Sequence, residues 1–487
     1  DMIFFHYDSG KFDNSMTKLT YTEIINSVSL TKTKYVDHDF HPFLRIPQDD
    51  DLFVNVTWIR IEELYNTPIF KENINSNSIK QGKLEDCHII SALIAISNSP
   101  SMIENLFEKP ICVDSGAIGV KFNYFGEILT VLVDTLIPTK NGKPIFSHPN
   151  NPDEDPWWFM IVEKAFAKLY GSYHALCGGK SHSIFFRLIG GWPFAFFFNE
   201  DETQAIIEND KLWKRLYRWN KKGYPMCCGS LQSPNKESQS QKKNQYNIYY
   251  DHSYAILRVE HKHKHNLLFL RNAWGKSEWS GHWGINSRLW YKKSKTHQLS
   301  MNQESSNVDK SSDMCKVLNY DFQNDGNFWM SYHDFKKHFS CAYVDVILDP
   351  CWHKFGVGGI IEFVNDNSNE NEKSIDINSM KQWLVTLNQP SILKCIFEKR
   401  GPPTECYACL AKNNGKKLET LSQEICENED SFLWQNFPES SDVFSFRWEI
   451  NDCSQPWTLL ICKEVKNNPV PFYLTVYSLD EIQFERI

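Results

Sequence analysis

At 487 residues the chain exceeds what one hydrophobic core usually fills, so it should hold several domain-sized units, and its 41% hydrophobic and 14% aromatic content can supply their cores. Its net charge of -8, from 52 Lys+Arg against 60 Asp+Glu, offers no global basic field, so a nucleic-acid partner is not expected. The 14 cysteines are scattered without the dense spacing of a small secreted scaffold, which points to a reducing, cytoplasmic setting. The sequence opens on Asp1 rather than Met and carries no leader pattern, so a longer parent chain or assembly is expected. The longest apolar stretch, Ile184 to Phe198, is broken by Arg187, two glycines and Pro193, and no transmembrane segment is expected.

Downstream of Cys87, apolar residues at 89, 90, 93, 94 and 96 recur at helical spacing and Pro100 follows the run, which predicts a helix with Cys87 at its start. Alternation from Val120 to Val133 around Gly126 predicts a hairpin, and Trp158 to Tyr170, followed by Gly171, predicts a second helix. Ser233 to Asn247 and Lys293 to Asp313 are polar, low-complexity stretches that read as exposed loops, as does Asn365 to Lys373. Between the first two, Ser253 to Val259 and Asn266 to Arg271 predict a hairpin whose tip carries His261, Lys262, His263, Lys264 and His265. That tip reads as a solvated turn, with metal binding the competing reading. The aromatic cluster Phe194 to Phe198 reads as buried. Beyond Asp349-Pro350, a plausible junction, short strand-like runs (359–364, 383–387, 392–397, 443–449, 457–462 and 471–477) suggest a β-sandwich.

A cysteine nucleophile works as a thiolate, favoured by a helix N-terminus and an adjacent imidazolium, and it needs a group to orient the ring and a donor for the oxyanion. Three ordered motifs supply candidates. Gln81-Gly82-Lys83-Leu84-Glu85-Asp86-Cys87-His88 resembles the calpain pattern Q-G-x-L-G-D-C-W. Asp251-His252-Ser253-Tyr254-Ala255 resembles G-H-A-Y-S, and Leu270-Arg271-Asn272-Ala273-Trp274-Gly275 through Glu278-Trp279 resembles L-R-N-P-W-G-x-x-E-W. Further matches are Trp58-Ile59-Arg60 with Glu62-Glu63-Leu64, Glu163-Lys164-Ala165-Phe166-Ala167-Lys168 with Gly178-Gly179, and Asp325-Gly326-Asn327-Phe328-Trp329-Met330-Ser331. A coincidence of ordered motifs is far more specific than any one of them.

The resemblance to calpains implies an α+β chain. An N-terminal segment (1–34) precedes a papain-like core of two lobes (35–192 and 193–348), and a calpain-type β-sandwich follows (349–487). It implies Cys87 as nucleophile, His252 as general base then acid, Asn272 as orienter of the imidazole, Gln81 as oxyanion donor and Trp274 as the ring that shields the His–Asn bond. The expected activity is endopeptidase cleavage of a protein or peptide substrate held extended in the interlobe cleft. Calpains also hold calcium in their cores. Ser78, Pro156, Ile285 and Asn327 stand where acids would be expected, leaving Glu278 and Asp325 as a residual site, so no cofactor is expected to be required. Glu85 and His88 replace the glycine and tryptophan of the nucleophile motif, and Asp251 replaces the glycine before His252. These changes motivate the alternative of an inactive calpain-like scaffold or binding module.

Overall fold

The computed structural model describes residues 21–40, 54–71, 75–234, 242–277, 279–290, 313–363, 374–376, 382–400, 406–413, 416–418, 420–422, 432–437, 442–463 and 470–487. Residues 235–241 of the expected loop Ser233–Asn247, residues 293–312 of the expected loop Lys293–Asp313, all of Asn365–Lys373, and Glu278 lie outside the described residues. The described residues are α+β, 26% helical and 38% strand. It divides into two compact units, the first built from 1–122, 129–184 and 195–344, the second from 123–128, 185–194 and 345–487.

In the first unit, the helix Cys87–Ile96 is buried on nearly every side, and Ile89, Ile90, Leu93, Ile94 and Ile96 are fully buried. Burial of each such side chain contributes roughly 1.5–3 kcal/mol, which makes this the central helix of its unit. Ser97 closes it by donating its N–H to Leu93 O, and Pro100 opens the next helix, Pro100–Asn105, where a missing N–H costs nothing. The helix Trp158–Tyr170 stops at Gly171, whose φ of 100° lies in the left-handed region that glycine enters without strain. Ala117–Tyr124 and Glu127–Asp134 form the hairpin expected around Gly126.

A six-stranded sheet runs in the order Asn327–Ser331, His265–Asn272, Ser253–Lys262, Met226–Ser230, Phe339–Val346, Trp192–Phe197. Its central hairpin is joined by His263 and Lys264, both at positive φ (46° and 70°), the geometry of a two-residue hairpin turn. The run Ile184 to Phe198 is not one element. The helix Ser181–Ile189 ends at Gly190-Gly191, and a strand resumes at Trp192, with Phe196 and Phe198 buried and Phe194 and Phe197 half-buried.

In the second unit, one run of antiparallel strands pairs His353–Phe363, Val470–Ser478, Ser391–Lys399 and Val443–Ile450 in that order. Another pairs Phe432–Phe437, Cys406–Lys412, Trp457–Lys463, Gln382–Leu387 and Ile482–Arg486. The runs join where Glu362 and Phe363 pair parallel with Cys462 and Lys463. Val357, Leu393, Phe472 and Leu474 from the first run share one buried cluster with Trp383, Leu410, Leu459 and Ile461 from the second.

Candidate active site

Cys87 is the first residue of its helix and is half-buried. The loop before it is held on both sides. Lys83 N–H donates to Ile145 O (2.9 Å), and a Cβ on Gly82 would fall 2.2 Å from Phe146 O, so only glycine fits there. On the other side, Gln81 N–H donates to Ala273 O (2.9 Å), directly tying the loop before Cys87 to the residue after Asn272. Ser91, one turn into the helix, donates its hydroxyl to Ser253 O (2.9 Å), which ties the helix that begins at Cys87 to the residue after His252.

His252 immediately precedes the strand Ser253–Lys262 and is clamped by Ser230, whose N–H and hydroxyl donate to His252 O while its Oγ accepts His252 N–H (3.0 Å). The ring Nε2 lies 2.8 Å from Asn272 Oδ1. Asn272 Oδ1 also accepts Trp274 N–H (3.0 Å) and its Nδ2 donates to Lys276 O (2.5 Å), so the amide cannot turn over without losing both bonds. His252 Nε2 therefore carries the proton, and Nδ1 is left as the acceptor.

Trp274 stacks on the imidazole at 4.1 Å and 24°, covering the His252–Asn272 bond. Tyr249 meets the indole edge-on (4.4 Å, 87°) and shares a hydrogen bond with Ser277 (3.1 Å). Sequence reasoning missed Tyr249, although it stands in an aromatic pair just before His252. Asp251 does not compete for the ring, because its carboxylate accepts Ser233 N–H (2.9 Å).

Burial pushes the Cys87 thiol up to about 12; the N–H groups of Ser253 and His88 oppose this, while Asp86 and Glu85 add to it. Burial pushes His252 down to about 4 against the favourable bond to Asn272. Near neutral pH burial thus favours the neutral form of both the Cys87 thiol and the His252 imidazole.

Next to Cys87, fully buried Asp86 abuts buried Glu163, and burial first, then the Glu163 carboxyl, raise Asp86 well above the usual carboxylate range. Glu163 accepts the hydroxyl (2.6 Å) and N–H (3.2 Å) of Ser147, which suits it as the charged member, leaving the proton on Asp86. Gln81 donates its side-chain amide to Leu84 O (2.7 Å) and to Asp86 Oδ1 (3.2 Å), so both amide hydrogens face its own loop. His88 is buried against Gly179, where a Cβ would fall 2.4 Å from its Nε2, and Glu85 is exposed.

The residual calcium position Asp325 lies behind Asn272 and accepts the side-chain N–H groups of Asn77 (2.8 Å) and Asn327 (2.7 Å). No cluster of three or more His, Cys, Asp or Glu residues able to hold a metal occurs among the described residues, the His261 to His265 tip included.

Comparison with known proteins places the chain among the cysteine proteases. Residues 35–345 match the calpain family cysteine protease domain. The calpain-type cysteine protease DEK1 of Zea mays is 30% identical over 305 residues, which is 61% of this chain and 13% of that protein. Calpain-5 of Mus musculus is 27% identical over 324 residues (60% of this chain, 47% of that one), and a calpain of Schistosoma mansoni is 27% identical over 354 (69% and 42%). The chain belongs to the calpain family. It spans less than half the length of these relatives.

Proposed function

We propose that the chain is a cysteine endopeptidase acting on extended segments of protein substrates. Its papain-like core has lobes at 35–192 and 193–348, a segment at 1–34 precedes them, and a calpain-type β-sandwich occupies 349–487. The observation that carries this reading is the 2.8 Å His252–Asn272 contact beneath Trp274, with the helix that begins at Cys87 bonded through the Ser91 hydroxyl to Ser253 O. Residues serving only a scaffold have no need of a buried imidazole with one nitrogen committed and the other left to accept.

Attack begins from the neutral pair. Cys87 Sγ adds to the scissile carbonyl as His252 Nδ1 takes the thiol proton, while Asn272 holds the ring and stabilises the imidazolium. His252 then passes that proton to the leaving amine, and a water, deprotonated by the same nitrogen, releases the acyl group. Gln81 serves the oxyanion once its amide turns away from Leu84, beside the N–H groups at the helix start. Calcium is not required, and a cytoplasmic setting suits the free thiol.

A second reading, an inactive scaffold, draws on the same Gln81, whose amide hydrogens are spent on Leu84 and Asp86. The two separate on incubation with an unfolded protein substrate. Fragments from the intact chain but not from Cys87→Ala support the peptidase, whereas binding without fragments in both supports the scaffold.

The acid side of the pH profile follows from His252. The base must be neutral, and burial holds its pKa near 4, so kcat/KM should stay level down to about pH 5 and halve near pH 4. Fluorogenic peptide turnover between pH 3 and pH 8 reads this, and a midpoint near the ordinary imidazole value of about 6.5 would contradict the buried neutral ring.

A further inference from the structure

The turn that leads into His252 carries a cation that the proposed mechanism does not use. Residues 242–250 double back on themselves: Asn244 N–H donates to Ile248 O (2.8 Å) and Tyr250 N–H to Lys242 O (3.0 Å), with Asn247 at a positive φ of 67°. Lys243 and Tyr249 stand opposite each other as a bridged pair. The turn is anchored from outside. Ser280 N–H donates to Tyr246 O (3.2 Å), the Tyr246 ring packs on Trp279 (5.1 Å), and Asn244 Nδ2 meets His338 Nδ1 (3.2 Å).

Lys243 is exposed, yet its ammonium is placed. Nζ donates to Ser277 Oγ (2.5 Å) and lies over the Tyr249 ring (4.7 Å). The same ring meets Trp274 edge-on (4.4 Å), and Trp274 stacks on the His252 imidazole (4.1 Å). The cation therefore ends a line of contacts that begins at the catalytic imidazole. Among the described residues no carboxylate pairs with it, and an ammonium with one donor spent keeps two. Asp251, close by in sequence, is turned to Ser233 N–H (2.9 Å).

The part of a substrate that meets this cation follows from the chemistry of His252. The imidazole gives its proton to the leaving amine, so that nitrogen and the residues it begins pass beside the ring. Groups clustered on the ring thus face the segment that follows the scissile bond. Half-buried Trp274 supplies apolar surface there, and Lys243 a positive charge beyond it. We infer that Lys243 is a specificity-determining residue that selects protein segments with Asp or Glu in the first two positions after the scissile bond. The inference rests on the peptidase reading above and uses only the His252 side of the site.

Digestion of a mixed library of short peptides by the full chain, with new N-termini read by mass spectrometry, tests it. Asp and Glu should be enriched over Lys and Arg about fivefold in the two positions after the cut, the effect of one exposed charge contact. Lys243→Arg should keep the enrichment, Lys243→Met should remove it, and Lys243→Glu should turn it toward Lys and Arg. A lysine that merely braced Tyr249 would change all cleavage together and leave the ranking untouched. Binding separates this inference from the peptidase reading. In the Cys87→Ala chain, fluorescence anisotropy compares two labelled peptides, identical save for Glu in one where the other has Lys. The Glu peptide should bind more tightly, and adding Lys243→Met should erase the difference. Cleavage without acid enrichment, or enrichment that survives Lys243→Met, overturns the inference and leaves the peptidase. Acid preference in binding with no fragments from the intact chain removes the peptidase and leaves Lys243 as the carboxylate contact. Neither fragments nor a preference in binding would overturn both.

Discussion

Cys87→Ala and His252→Ala should each lower peptide turnover by about 10⁴-fold or more while leaving the fold intact, because each removes a group that bonds to or moves a proton of the reacting atoms. Asn272→Ala should fall less, by about 10²-fold, since it orients the imidazole without touching substrate. Trp274 would still cover the ring, but the freed imidazole could place either nitrogen toward Cys87, and only one orientation works. Turnover of one fluorogenic peptide by all three variants, with circular dichroism as the folding control, checks the order. Equal loss in all three without unfolding would mean that Asn272 is more than an orienter, and unchanged turnover in Cys87→Ala would remove the thiol from the mechanism.

Lys164→Met should destabilise the first unit by about 3–5 kcal/mol, the cost of leaving a buried charge without its partner. Lys164 and Asp134 form an ion pair with both side chains 1% exposed, and Lys164 also donates to Leu136 O (2.6 Å). Asp134 in turn accepts Asp37 N–H (2.8 Å) and Leu136 N–H (2.9 Å), and Asp37 pairs with Lys168 (2.8 Å), so an orphaned Asp134 would strain a network holding three segments. Replacing both partners by apolar residues of similar volume should recover part of the loss, because no bare charge remains. Urea unfolding of the single and double variants measures this. A single-variant loss below about 1 kcal/mol would show that water reaches the pair.

The motif containing Lys164 shows what one sequence discloses and what it does not. Glu163-Lys164-Ala165-Phe166-Ala167-Lys168 is visible as a resemblance, and its helical period is visible in the apolar residues. The partners of its three charges are not: Glu163 faces Asp86 and Ser147, Lys164 faces Asp134, and Lys168 faces Asp37. Those contacts depend on how distant segments fold together. Asn77 and Asp325, 248 residues apart, are the extreme case, and nothing local marks them.

Local pattern served well where one physical signal dominated. The helix at Trp158–Tyr170 carries both amphipathic spacing and a glycine stop, and the hairpin of Ser253–Lys262 with His265–Asn272 has alternation and a polar tip. It failed for Cys406–Lys412, where cysteines and alanines without β-branching form a buried strand that burial alone selects. It also passed over the helix Lys211–Lys221, whose many cations hide the buried Leu212, Trp213 and Leu216. Within the candidate site, the place of Cys87 at a helix start could be read, but the inward turn of the Gln81 amide and the raised pKa of Asp86 are products of burial and have no signature in the motif.

The central claim is that Cys87 is a working nucleophile in a site assembled without added metal. An irreversible epoxide directed at papain-like thiols, applied in chelator and read by mass spectrometry, tests it most directly, with half-buried Cys112, Cys177 and Cys453 and exposed Cys351 as internal controls. The account predicts stoichiometric modification of Cys87 in the intact chain, none of the control cysteines at the same rate, and no such adduct in Cys87→Ala or His252→Ala. An unmodified Cys87 while Cys351 reacts, or labelling that persists when His252 is removed, would contradict it.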